Sequence, residues 1–208
     1  MLKETLADAL LAIWPMLFIF TVILSSVRIA YLLSRRQKIV LYREFLTLAF
    51  IIYILTLFYI VTFQDGSMAD SNFVPFKEIM RYDFGTDLFW QQTVGNILLF
   101  VPFGFFVSYY LKTKKLIPIF ILSLITSLSI EITQNAIGRT VDIDDIILNV
   151  TGGIVGYYLF VGLDSINDKI PKFLKRDWMF NIMVIILMII IVIYLFNLDT
   201  SIVGNFYE

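Results

Sequence analysis

Residues 116–134 read LIPIFILSLITSLSIEITQ, and Glu131 is the one charged side chain in this run. About 20 consecutive apolar residues are needed for an α-helix to cross the ~30 Å hydrocarbon core of a bilayer. The apolar residues here are continuous, whereas a strand of a membrane barrel alternates in polarity. The stretch therefore predicts a membrane-spanning helix that carries a carboxylate near its C-terminal end.

The rest of the chain extends this pattern to the whole molecule. Of the 208 residues, 59% are hydrophobic and 16% are charged, which is far from the composition of soluble domains. Six runs approach the length of a span: Leu6 to Leu33, Phe45 to Phe63, Thr93 to Leu111, Leu116 to Gln134, Asp145 to Leu163 and Trp178 to Leu198. We predict an all-α fold, a polytopic membrane helix bundle of about six transmembrane helices that forms one membrane domain over residues 1–208.

The composition also limits the chemistry. The chain has no cysteine and no histidine, so disulfides, thiolate nucleophiles and imidazole ligands or bases are excluded. The net charge is −1 and the basic residues are scattered among loops, which argues against a nucleic-acid partner. Membrane lipids are the expected partners, and no cofactor is predicted. Any chemistry must rest on carboxylates, amides, hydroxyls, Lys or Arg.

The basic residues orient the predicted helices. Alternate loops share one side of the membrane, and counting in this way puts twelve basic residues on one side and four on the other. Because basic residues concentrate in cytoplasmic loops, both termini are predicted to be extracytoplasmic. The loop Gln64 to Gln92 and the turn Asn135 to Asp144 then lie outside as well. The mixed-charge start MLKETLAD is interpreted as the beginning of an uncleaved first helix.

Distinctive polar residues gather at the outer ends of the middle helices. Asn96 lies near the outer end of the third helix, and Pro102 predicts a kink because it has no backbone N–H to donate. Glu131 and Gln134, three residues apart, share one face of the fourth helix. Glu131 is expected about one turn below the outer boundary of the membrane.

The segment VDIDDIILNVTGG, residues 141–153, continues this polar end into the fifth helix. Spacings of three and four place Asp142, Asp145 and Asn149 on one helical face. Asp144 is expected to point elsewhere, to lipid headgroups or to the outer loop. The same face continues with glycines that permit close approach of helices, namely Gly152, Gly153 and Gly156.

Each of these residues has a structural and a functional interpretation. An ionisable side chain inside a span costs about 2.5 kcal/mol or more, so Glu131 is expected to have a partner. That partner is either a headgroup, cation or proton, or a structural ion pair with Arg139, Arg81 or Lys77. The aspartates are either helix caps or site residues. Asn96 and Asn149 either bridge helices or bind a ligand.

Four motifs in this part of the chain are similar to those of the VanZ-like family of bacterial membrane proteins. NFVPF resembles the family's Asn-x-x-Pro-Phe element, and GNILLFVPFG resembles its following Asn, Pro-Phe-Gly helix. SLSIEITQ is similar to its Glu-x-x-Gln helix, and GRTVDIDDIILNVTGG to its Asp-rich turn with Asn-x-x-Gly-Gly. The resemblance covers about Asn72 to Leu163. It carries over Asn72, Pro75, Phe76, Asn96, Pro102, Gly104, Glu131, Gln134, Arg139, Asp142, Asp144, Asp145, Asn149, Gly152 and Gly153.

The resemblance implies a multi-pass protein of the bacterial cell membrane, and the family's namesake is linked to resistance to the lipoglycopeptide teicoplanin. Three functions stay open. The polar cluster binds a lipid-linked wall precursor or a lipidated drug and alters the drug's access to its target. Alternatively, the chain is an enzyme on such a headgroup, with Glu131 or an Asp as base, or with Asp142, Asp145 and Glu131 holding a divalent cation. The third hypothesis is a transporter or flippase that uses the intramembrane Glu131.

Overall fold

The structure, a computed structural model, describes residues 2–63, 71–169 and 177–189. These residues form six main helices: α1 (Leu2–Ser34), α2 (Leu41–Phe63), α3 (Gly95–Leu111), α4 (Leu116–Ala136), α5 (Ile143–Lys169) and α6 (Asp177–Ile189). Within the described ranges there is no β-strand, only an isolated bridge between Asn72 and Asp142. The prediction of an all-α membrane bundle is confirmed.

Five helices are long and apolar enough to cross a bilayer, and they correspond to the first five predicted spans. They are Ala12–Ser34, Leu41–Thr62, Asp87–Leu111, Leu116–Ala136 and Ile143–Ile166. The predicted sixth span, Trp178 to Leu198, begins in the short apolar helix α6, and its second half lies outside the described residues. The outward orientation of the termini stays a prediction.

Helix α5 is the centre of the bundle. In the most apolar stretch of α5, 39% of the residues are buried inside the protein, against 6% in that of α1. It packs most extensively against α3 and then against α4, whereas α1 packs mainly on α2. The buried cluster Leu57, Phe100 and Phe103 joins α2 to α3. Because α1 has so little protein contact, most of its apolar surface is available to lipid.

Glycines allow the close contact between α3 and α5. A Cβ on Gly104 would overlap the carbonyl group of Gly153, and one on Gly152 would overlap the carbonyl oxygen of Ile97. One turn further along α5, a Cβ on Gly156 would overlap the carbonyl oxygen of Val101. Small residues at such positions let helix backbones approach each other in membranes. The packing of the two helices therefore depends on the absence of these side chains.

Irregular backbone precedes helix α3, and a proline lies inside it. A one-turn helix at Asp87–Phe89 leads into a π-helical segment, Trp90–Val94, which precedes Gly95. Pro102 lies inside α3 and cannot donate to the carbonyl oxygen of Leu98. The hydroxyl of Tyr53 on α2 donates a 2.8 Å hydrogen bond to the next carbonyl, that of Leu99. The predicted kink at Pro102 stays a prediction.

The two ends of the bundle differ in chemistry. Among the described residues, three ion pairs cross between elements at one end, namely Arg28 with Glu44 at 2.8 Å, Lys114 with Asp164 at 2.8 Å, and Arg43 with Asp177 at 3.7 Å. This end holds the basic loops that sequence counting placed together. The predicted polar residues lie at the opposite end, where α4 ends and α5 begins.

Candidate functional site

Asn72 anchors the loop before α3 to the start of α5. Its backbone N–H donates to the carbonyl oxygen of Val141 at 2.8 Å, and its carbonyl oxygen accepts from the N–H of Ile143 at 3.0 Å. Its side-chain amide donates to Oδ1 of Asp142 at 3.0 Å, and its Oδ1 accepts from the N–H of Val74 at 3.1 Å. Asn72 is therefore a structural clamp in this structure.

Asp144 holds the same loop from the other side. Its carboxylate accepts the backbone N–H groups of Phe76, of Glu78 at 2.7 Å and of Ile79 at 3.2 Å. Within this loop Phe76, which follows Pro75, has a left-handed backbone with φ of 67°. Asp144 is only 1% exposed. The sequence left two directions open for Asp144, toward lipid headgroups or toward the loop, and in the structure its side chain points to the loop.

Asp142 caps α5. Its Oδ1 accepts the backbone N–H of Asp144 at 2.9 Å, which is the hydrogen bond of an N-cap residue to the second position of its helix. Burial, with smaller contributions from the carboxylates of Asp144 and Glu78, raises the pKa of Asp142 above its ordinary value. Asp142 therefore occupies the N-cap position of α5, in keeping with the capping alternative.

A small cavity of about 40 Å³ lies between α2, α3, α4 and α5. Five of the predicted site residues line it, from three different helices. Together with the apolar residues of the wall the lining is Leu57, Val61, Asn96, Leu99, Phe100, Ile130, Glu131, Gln134, Asp145 and Asn149. A water needs about 10–15 Å³ of such space, so the cavity accommodates a few water-sized groups.

The amide side chains around the cavity donate to protein acceptors. Asn96 Nδ2 donates to Oδ1 of Asp145 at 2.6 Å. Asn149 Nδ2 donates to the hydroxyl oxygen of Ser127 at 3.0 Å, and Gln134 Nε2 lies 3.5 Å from the carbonyl oxygen of Val61. These contacts tie α3 to α5, α5 to α4, and α4 to α2. Asn96 and Asn149 thus bridge helices and line the cavity at once.

Glu131 is the least satisfied polar side chain of the site. It is 3% exposed, and its Oε2 accepts the backbone N–H of Asp142 at 2.9 Å. Its Oε1 is buried and has no hydrogen-bond partner among the residues that the structure describes. Across the described ranges, no ion pair within 4.0 Å joins Glu131 to Arg139, Arg81 or Lys77, and Arg81 pairs with Glu78 at 3.1 Å. The structural ion pair considered for Glu131 does not form in this part of the chain.

Arg139 sits beside the cavity and caps α2. Its Nη1 donates to the carbonyl oxygen of Val61 at 2.7 Å, in the last turn of α2, where side chains commonly satisfy helix carbonyls. Its backbone N–H donates to the carbonyl oxygen of Gln134 at 2.9 Å. Arg139 is also the basic side chain whose charge acts on both Glu131 and Asp145.

Sequence reasoning missed the contribution of α2 and of the serines on α4. Leu57 and Val61 form one wall of the cavity, and Ser127, which is fully buried, is the acceptor for Asn149. The serines were detectable from the sequence, because Ser123, Ser127 and Glu131 follow one another at spacings of four on one helical face. Nothing in the apolar residues of α2 indicated their position beside the polar residues.

Glu131 also borders a second, larger space. An open groove of about 320 Å³ runs between α4 and the beginning of α5. Apart from Glu131 and Asn135 its lining is apolar, formed by Phe73, Leu128, Ile132, Val141, Ile143 and Ile146. The volume is in the range of small-molecule sites, about 300–1,000 Å³. One carboxylate therefore lies between a polar cavity and an apolar groove.

The acidic residues do not converge on a metal position in the described residues, where no group of three or more His, Cys, Asp or Glu side chains has a suitable arrangement. Asp142 Oδ1 is already engaged by Asn72 and by the N–H of Asp144. The two carboxylates that line the cavity are Glu131 and Asp145.

Comparisons with known proteins show which family the chain belongs to. The family model described as VanZ/LLP1 matches residues 45–167, a range that contains every residue lining the cavity. The protein named VanZ of Enterococcus faecium is 27% identical over 154 residues, which cover 69% of this chain and 88% of that protein. No solved structure matches the chain significantly. This membrane-helix chain belongs to the VanZ/LLP1 family.

Proposed function

We propose that this protein acts at the outer leaflet of the bacterial cell membrane as a binding protein for a polar group that carries a lipid chain. The ligand is a lipid-linked wall precursor or a lipidated drug such as teicoplanin. Binding alters the access of the drug to its cell-wall target and thereby confers resistance. The proposal is supported by membership of the VanZ/LLP1 family and by the polar cluster at one end of the bundle.

The observation that carries the proposal is the position of Glu131. A buried carboxylate oxygen without a hydrogen-bond partner costs about 1–3 kcal/mol or more, and its retention calls for a partner that the described residues do not supply. Glu131 faces a polar cavity on one side and an apolar groove on the other. An amphiphilic ligand has the two kinds of surface that these two spaces offer.

The proposal is tested in cells. A strain lacking the gene is complemented with the wild-type chain, with Glu131→Gln, or with Asp83→Asn, a matched change at an exposed loop carboxylate. We expect the wild type and Asp83→Asn to restore teicoplanin resistance and low drug accumulation at the surface. Glu131→Gln, at equal membrane abundance, is expected to restore neither. Unchanged susceptibility and accumulation on deletion of the gene would refute the proposal.

An enzyme acting on a lipid or wall-precursor headgroup is the second candidate. The observation that favours it is that Glu131 and Asp145 line the same cavity, where one carboxylate is available as a general base. Purified protein is incubated with lipid substrates, with and without Mg²⁺ or Ca²⁺, and products are measured by mass spectrometry. Turnover that is lost in Glu131→Gln supports this candidate, and no turnover under any of these conditions contradicts it.

A further inference from the structure

The oxygens around the cavity outnumber the hydrogen-bond donors that reach it. From the described part of the chain, Glu131 Oε1 accepts no hydrogen bond, and Asp145 accepts one, at Oδ1, from Asn96. Among the described residues no donor reaches the side-chain oxygens of Asn149 or Gln134, whose amide nitrogens point to Ser127 and Val61. The cavity therefore offers acceptors and negative charge, and it favours a ligand group that donates hydrogen bonds and carries positive charge.

Size narrows the choice of that group. The cavity of about 40 Å³ holds a few water-sized groups. A primary ammonium is a compact cation with three N–H donors, and it matches the unfilled oxygens of Glu131, Asp145 and Asn149. Inside the cavity a phosphate would be repelled by the two carboxylates, and a trimethylated ammonium has no N–H to donate.

The groove supplies the rest of the ligand. Its lining includes Glu131 together with Leu128 and Ile132 of α4, and Ile143 and Ile146 of α5. Its apolar lining binds hydrocarbon, at about 25 cal/mol per Å² of apolar surface removed from water. A ligand that fills both spaces has an ammonium group at one end and an acyl chain at the other.

We infer that the site binds the primary ammonium of an amine-bearing membrane amphiphile, with the ammonium in the cavity against Glu131 and Asp145 and an acyl chain in the groove. This inference rests on the proposed function and adds the chemistry that selects the ligand. Arg139, whose charge acts on both carboxylates, provides a cation for the phosphate that accompanies the amine in a phospholipid.

The test uses the purified full chain in detergent and three lipids with identical dioleoyl chains: phosphatidylethanolamine, phosphatidylcholine and phosphatidylglycerol. Binding is titrated by native mass spectrometry. We expect phosphatidylethanolamine to bind about tenfold more tightly than the other two, because it alone offers a positive charge with N–H donors. Equal affinity for the three lipids would overturn the inference.

Variants connect this preference to the site. Glu131→Gln and Asp145→Asn are expected to abolish the preference for phosphatidylethanolamine, whereas Asp83→Asn preserves it. Each variant is first checked for wild-type thermal unfolding, so that a loss of binding is not a loss of fold. If one of the two variants unfolds at a lower temperature than the wild type, lipid binding is compared between the wild type and the other variant. A folded variant at either position that keeps the full preference contradicts the role of the cavity.

The groove is tested separately. Leu128→Trp, at a partly exposed position inside the groove, is compared with Leu122→Trp, at a partly exposed position of the same helix outside it. We expect weaker phosphatidylethanolamine binding in the first variant and unchanged binding in the second. Free ethanolamine is expected to bind at least about tenfold more weakly than the lipid. If free ethanolamine binds as tightly as the lipid, or if sodium ions occupy the site as well as the lipid does, the site binds small cations without using the groove. Either result would overturn the inference.

Failure of the inference differs from failure of the proposed function. If the three lipids bind equally while deletion of the gene still alters teicoplanin susceptibility, the inference fails alone. If deletion changes neither susceptibility nor drug accumulation, the proposed function fails whatever the lipid preference is.

Discussion

The backbone N–H of Asp142 donates a 2.9 Å hydrogen bond to Oε2 of Glu131. This bond joins the N-cap of α5 to the buried face of α4 and determines which carboxylate oxygen is left over. Oε2 is held by the backbone, and Oε1, beside the cavity, has no partner in the part of the chain that the structure describes. The fold thus uses one half of the Glu131 carboxylate for structure and leaves the other half for a ligand.

Asp144→Asn is expected to destabilise the loop at residues 71–81. The carboxylate accepts three backbone N–H groups, and an amide in its place turns its own NH₂ toward at least one of them. Loss of a hydrogen bond to a charged group costs about 1.5–3 kcal/mol. We expect lower thermal stability in detergent and faster proteolysis within the loop. Asp83→Asn is the control, and wild-type behaviour of Asp144→Asn in both measurements would contradict this account of the loop.

Gly104→Ala is expected to destabilise the contact between α3 and α5. The added Cβ would overlap the backbone of Gly153, which cannot move without displacing α5. Overpacking of this kind costs about 1–3 kcal/mol. Gly162→Ala is the matched control on α5, because nothing lies within 4 Å of its added Cβ. In a helix interior that change is worth about 0.5–1 kcal/mol in favour of folding. Thermal unfolding measures both, and equal shifts for the two variants would argue against the close helix contact.

Ser127→Ala is expected to remove the acceptor of Asn149 inside the protein. An amide donor that is left buried without a partner costs about 1–3 kcal/mol. Ser129→Ala, on the exposed face of the same helix, removes only a hydroxyl that bonds the carbonyl oxygen of Ile125. We expect a clear loss of stability in the first variant and a small change in the second. A double-mutant cycle of Ser127→Ala with Asn149→Ala measures the coupling, and additive effects would show that the two side chains do not interact.

The stability of the protein is expected to fall as the pH rises through the raised pKa of Asp142. Burial raises that pKa, so the folded state binds a proton that the unfolded chain, with an ordinary pKa of about 3.9, has already released. The contribution of Asp142 to the free energy of folding is favourable below about pH 4. It is lost as the pH rises through the pKa that Asp142 has in the folded state. Asp142→Asn keeps an acceptor for Asn72 and for the N–H of Asp144 but cannot ionise.

The measurement is thermal unfolding in detergent from about pH 4 to pH 7, compared among the wild type, Asp142→Asn and Asp83→Asn. We expect a flatter pH dependence in Asp142→Asn alone. A slope equal to that of the wild type would show that Asp142 does not titrate differently in the folded and unfolded states.

Much of the fold followed from the apolar runs. A chain in a bilayer must satisfy its backbone hydrogen bonds internally, so a run of sufficient length has little alternative to a helix. The first five predicted spans agree with the structure for this reason. Helical spacing also placed Glu131 and Gln134 on one face, and both line the cavity. These features depend on residues that are close in sequence.

The sequence by itself determined that the chain is a bundle of membrane helices with polar residues at one end of its middle helices. Only the tertiary structure showed that the three aspartates have different roles. Asp145 lines the cavity, Asp144 binds the loop at Phe76, and Asp142 caps α5. The physical reason is that the direction of backbone N–H groups in the loop depends on local dihedral angles such as the left-handed φ of Phe76. Likewise, the partners of Glu131 and Asn149 come from other elements of the chain, and no spacing within a helix specifies which side chains meet across it.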